Sequence, residues 1–292
     1  MLLALLPVTV LIAFGFVLRR LPGFGSEEFW SGAEKLAYYC LLPVLLFTSV
    51  AEVDVAHVPL VRLAAALIIP TVIVSVVIVL ARRVIAGDLP GFTSVLQGGI
   101  RFNTYIGLSL AAGLFGSEGS AVAAIVAAIL VPTVNVVSSL GFEFLRTGPS
   151  SLIALLRAII TNPLVLGCVA GGAANVTGLG LPSPAAAVLD PLAAASLPIG
   201  LLCVGAGLRP FSFGEQGRAM IVSTVTRLLV VPGLTLLTLL AFDVPAVPAL
   251  VGMIFQSIAT ASSGYVMARQ LGGDAKLMAA LIAAQTGAPL LS

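Results

Sequence analysis

Apolar residues dominate this chain in long runs, and the runs are separated by short connections that hold most of the charge. Windows of about 20 apolar residues, the length a helix needs to cross a bilayer, fall near 1–19, 31–50, 60–81, 89–114 and 119–141, then near 151–174, 184–208, 219–242, 245–268 and 275–291. The pattern predicts an all-α integral membrane protein of ten transmembrane helices. Ten-residue segments of alternating polarity are missing, which argues against a membrane β-barrel. The first run has no basic stretch before it and no small-residue cleavage site after it, so it reads as a retained helix.

Composition sharpens this picture. Of 292 residues, 59% are hydrophobic and 9% charged, against roughly a quarter charged in a soluble domain. Glycine (30) and proline (18) are plentiful, as in close-packed and broken membrane helices. The cysteines Cys40, Cys168 and Cys203 sit in apolar runs and read as small packing residues. The single histidine, His57, lies in a polar connection. No metal spacing and no cofactor motif is present, and nothing suggests nucleic acid; the surroundings are membrane lipid.

Charge gives the orientation. Arg19, Arg20 and Lys35 flank the first connection, Arg82 and Arg83 the third, Arg146 and Arg157 the fifth, Arg209 and Arg218 the seventh, and Arg269 and Lys276 the ninth. Basic residues favour the cytoplasmic side. Both termini are therefore expected on the outer side of the cytoplasmic (inner) membrane.

The two halves, 1–145 and 146–292, repeat each other. Pro7 is matched by Pro163, Glu34 by Asp190, Pro43 by Pro198, Gly116 and Glu118 by Gly272 and Asp274, and Pro132 by Pro289, all 155–157 positions apart. Each half holds five spans, an odd number, so the halves must be inverted relative to each other, as in many secondary transporters.

Polar residues interrupt two equivalent spans. The fourth carries Arg101, Asn103 and Thr104, with Gly107 and Ser109 as expected break points; the ninth carries Gln256, Thr260, Ser262 and Ser263, with Gly264 as the break. A central arginine costs roughly 2.5–3.5 kcal/mol on insertion scales. Irregular backbone at that depth must line protein or a cavity. Half-helix N-termini aimed at the midplane favour an anion. These residues are the candidate substrate site, and a small organic anion is the expected substrate. Arg101 has other readings, a tie to Glu118 or Asp88, or an interfacial reach. Glu34 and Asp190 are candidates for coupling to H+ or Na+, or plain interfacial charges. Arg227 reads as the partner of some carboxylate.

Certain stretches resemble the auxin efflux carrier family. They are Arg101-Phe102-Asn103 with Gly107, Leu114 to Gly119, Asn162-Pro163, Leu197 to Ala206, and Thr260 to Asp274. The resemblance implies a fold like that of the bile-acid sodium symporters, with crossing helices 4 and 9. It also implies a scaffold domain (spans 1, 2, 6, 7), a transport domain (spans 3–5 and 8–10) and elevator-type transport, with Asn103 touching substrate and a homodimer possible. The family's crossover prolines are absent here, with Ser109 and Ala259 to Ser263 in their place. A sodium-coupled symporter of amphipathic anions is the alternative reading. A membrane-embedded enzyme or sensor is disfavoured, because no nucleophile–base pair and no output domain is evident.

Overall fold

The computed structural model describes residues 2–51, 58–85, 88–146, 160–161, 163–177, 183–207, 217–261, 264–265, 268 and 272–287. Among them the regular structure is helical: α1 (Leu2–Leu18), α2 (Glu27–Ala51), α3 (Leu60–Leu80), α4 (Leu89–Ile100), α5 (Thr104–Arg146), α6 (Pro163–Val176), α7 (Ser183–Gly207), α8 (Gly217–Ala241), α9 (Ala246–Ser257) and α10 (Ala275–Gly287). Five of the described helical stretches are long and apolar enough to cross a membrane. The protein is an all-α protein of membrane type.

Local sequence explains where several helices start and bend. Asp88 caps α4 by accepting the Gly91 N–H at 3.0 Å, and Asp274 caps α10 by accepting the Leu277 N–H at 2.9 Å, each meeting an otherwise orphaned donor. Two helices contain a π turn, Ala37–Leu41 in α2 and Thr226–Val230 in α8. Each turn ends two residues before a proline, Pro43 and Pro232. Proline lacks the donor that would close the next turn and its ring presses on the preceding one, so the helix widens there. In α5, Gly116 takes φ 60°, ψ −140°, a conformation that glycine alone adopts readily. A Cβ on Gly119 would strike the Ala111 carbonyl, so the two arms of α5 fold back as a hairpin about Gly116.

The chain divides into two compact units, each drawing on both halves of the sequence. The first comprises Met1–Pro59, Tyr105–Ala128 and Ile159–Gly207. In it α1 packs on α7, and α2 packs on α6 and α7. Glycines set these contacts. A Cβ at Gly15 would overlap the Leu202 carbonyl, one at Gly205 the Ile12 carbonyl, one at Gly167 the Pro43 carbonyl, and one at Gly171 the Phe47 carbonyl. Backbone meets backbone at each point, the close approach that small residues permit between membrane helices. Two side chains finish the helix ends: Asn175 Nδ2 donates to the carbonyls of Val50 and Ala51, and Arg19 Nη1 to that of Ala206.

The second unit comprises Leu60–Thr104, Ile129–Ala158 and Leu208–Ser292. Here α8 packs against α3, α4, α9 and α10, while α4 also packs on α3 and α10. Side chains tie backbone to backbone throughout. Ser223 donates to the Val95 carbonyl, Ser94 to that of Asp274, and Thr238 to that of Ala66.

Candidate functional site

Two helices of the second unit stop abruptly in buried surroundings. α4 ends at Ile100, with Arg101 in extended conformation (φ −72°, ψ 154°), and α9 ends at Ser257, with Ile258 likewise extended (φ −82°, ψ 157°). Each is 12 residues long, and each capping N–H donates four residues back, Arg101 to Gln97 and Ile258 to Ile254. The equivalent residues lie 157 positions apart (258 − 101), and the positive-φ glycines Gly116 and Gly272 lie 156 apart (272 − 116).

The breaks touch each other. The Asn103 N–H donates to the Ala259 carbonyl at 3.0 Å, and the rings of Phe102 and Phe255 meet edge to face at 5.5 Å. The first arm of α5 then starts at Thr104, which leaves its first N–H groups and positive dipole end beside the break.

Two side chains from other helices hold the interrupted ends. Arg227, on the π turn of α8, is wholly buried. Its Nε donates to the Ile258 carbonyl at 2.8 Å and its Nη2 to the Phe255 carbonyl. Its Nη1 reaches the Ile100 carbonyl and Gln256 Oε1, each at 3.4 Å. One guanidinium thus serves the C-terminal carbonyls of both α4 and α9, the negative dipole ends where a cation is favoured. Gln285 of α10 complements it by meeting one carbonyl and one N–H. Its Nε2 donates to the Gly98 carbonyl and its Oε1 accepts the Thr260 N–H, both at 3.0 Å. Gln256 is anchored in turn, donating to the Leu67 carbonyl at 3.2 Å and to Thr71 Oγ1 at 3.1 Å.

The expected site residues divide accordingly. Arg101, Asn103, Gln256 and Thr260 are buried at the two breaks, with Thr104 at the first helical turn beyond. Arg101 Nη2 donates to Asn135 Oδ1 on the return arm of α5 at 2.8 Å. Of the ties expected for it, Asp88 caps α4 and Glu118 is exposed beside the hairpin tip. The break points move: Gly107 and Ser109 lie inside the continuous helix of α5, and the interruption falls at 101–103. In the ninth span the irregular backbone begins at Ile258, ahead of the helical Gly264. Glycine content marked the weak region, but tertiary hydrogen bonds chose the residue at which the helix opens.

Arg227 binds carbonyls and an amide where a carboxylate partner was expected. Reasoning from sequence missed Gln285 altogether; a buried glutamine in an apolar run was the available signal. Glu34 is half-buried on α2 and Asp190 exposed on α7, both in the first unit. Ser262, Ser263 and His57 lie outside the described residues. Among the described residues no three His, Cys, Asp or Glu side chains come together. No protein-family model matches this chain, and no curated protein is significantly similar to it.

Proposed function

We propose that the protein is a secondary carrier of small organic anions in the cytoplasmic membrane, holding its substrate where the two helices are interrupted. The observation that carries this reading is the pair of touching, buried breaks whose open ends are capped by Arg227 and Gln285. Irregular backbone at membrane depth occurs where it lines a site or a cavity, and interrupted helices of this kind surround substrate sites in transporters. Arg101, Asn103 and the N-terminal turn at Thr104 offer positive charge and hydrogen-bond donors, which suit a carboxylate.

In this reading ten spans form two inverted five-helix repeats, with both termini outside. The matched caps at Arg101 and Ile258, and the matched glycines at 116 and 272, support it. The kinship suggested by the sequence motifs is with the auxin efflux carriers. Alternating access then proceeds by an elevator in which the unit with both breaks carries the substrate. Uptake of labelled mono- and dicarboxylates into proteoliposomes is the test. Accumulation of at least one carboxylate, reduced by Asn103→Ala, is expected. Absence of uptake for the whole panel, with either direction of gradient, overturns the reading.

A further inference from the structure

Gln97 is wholly buried in α4, yet among the described residues neither its Oε1 nor its Nε2 has a hydrogen-bond partner. Its neighbours on the helix are all satisfied. Ser94 donates to the Asp274 carbonyl, Thr93 donates to the Pro90 carbonyl, the Val95 carbonyl accepts from Ser223, and the Gly98 carbonyl accepts from Gln285. Buried polar atoms without partners are rare in folded proteins, and each costs about 1–3 kcal/mol. Two on one side chain point to a group that binds there.

The position fixes what lies nearby. Gln97 sits one turn before Arg101, whose N–H donates to the Gln97 carbonyl at 2.8 Å. Arg101 also reaches Asn135 on the return arm of α5. Ser138, three residues beyond Asn135 on that arm, is also wholly buried, its hydroxyl likewise without a partner among the described residues.

A primary amide presents one acceptor and one donor on the same edge. An ionised carboxylate offers acceptors alone and would leave Oε1 facing negative charge. A carboxamide, or a carboxyl that keeps its proton, supplies both partners at once. We propose that Gln97 is a second recognition point, which takes an uncharged carboxamide or carboxyl end of a ligand whose ionised carboxylate lies at the Arg101–Asn103 break. This rests on the anion-carrier reading and narrows its substrate class to singly charged half-amides and half-acids of short diacids.

Two probes of equal charge and chain length separate the possibilities: succinamate, with an amide end, and monomethyl succinate, whose ester end accepts but cannot donate. The measurement is thermal unfolding of the purified full chain in detergent, with each probe titrated. In the parent, succinamate acts at about tenfold lower concentration than the ester, the ratio expected for one hydrogen bond gained or lost in a buried site. Gln97→Met, of similar volume, erases that preference. Without ligand it unfolds at a higher temperature than the parent, because an unpaired polar group has been removed. Equal response of the parent to both probes overturns the proposal, as does a preference that survives in Gln97→Met, or a lower melting temperature of that variant without ligand. If neither probe acts while simple carboxylates do, this inference alone falls; if no anion acts, the carrier reading falls with it.

Discussion

The two units solve the same problem of helix association in different ways. In the first, Gly15, Gly167, Gly171 and Gly205 bring backbones together, and Asn175 and Arg19 add side-chain bonds to backbone carbonyls at helix ends. In the second, Arg227, Gln285, Gln256, Ser94 and Ser223 reach across helices to backbone carbonyls and amides. Apolar packing gains its energy from dispersion and shape and needs unbroken helices on both sides. Interrupted helices expose carbonyls and N–H groups that hydrocarbon cannot satisfy, so their unit must supply hydrogen bonds from elsewhere. The polar network is therefore a consequence of the breaks, and it holds the site proposed above.

Removing Arg227 should break that contrast most severely. Arg227→Met leaves the carbonyls of Ile100, Phe255 and Ile258 without their donor and is expected to cost about 3 kcal/mol or more. The variant's melting temperature in detergent is the measurement, and an unchanged value would show that the clamp is dispensable. Arg227→Lys keeps the charge but loses the planar fork, so it should fall between the two.

A smaller effect is expected from overfilling the first unit. Gly205→Leu forces a side chain into the Ile12 backbone and should cost about 1–3 kcal/mol. Because the damage lies in the glycine-packed unit, melting should drop while the concentration of carboxylate giving half the thermal shift stays the same. A changed carboxylate response would undo the division of labour between the units. The mildest case is Asn175→Ala, which frees the carbonyls of Val50 and Ala51 and should cost about 1 kcal/mol, read as a small loss of melting temperature alone.

Much of the fold was legible because it follows from local rules. Asp88 and Asp274 cap helix starts, Gly116 takes a positive φ, and Pro43 and Pro232 stand two residues after the π turns of α2 and α8. All of these act within a turn of themselves, although from sequence Asp88 entered only as a tie for Arg101, and Gly116 and Asp274 only as repeat landmarks. The polar stretches around Asn103 and Thr260 were visible because polar groups are rare at that depth. The break residue was not visible. Gly107 and Ser109 permit a break, yet a permissive residue stays helical when nothing captures its freed carbonyls, and the captors Arg227 and Gln285 are 127 and 187 positions from Ile100 and Gly98.

The sequence by itself determined that this is an all-helical membrane-type chain, and which two of its apolar stretches are polar enough to open. Those properties depend on hydropathy, proline and glycine, each of which acts within a turn or two. Tertiary structure alone decided that the helices open at 101–103 and 258–261, that a buried arginine answers backbone carbonyls, and that Gln97 has no side-chain partner among the described residues. Hydrogen-bond satisfaction depends on groups brought together across the fold, and no local pattern records which groups those are.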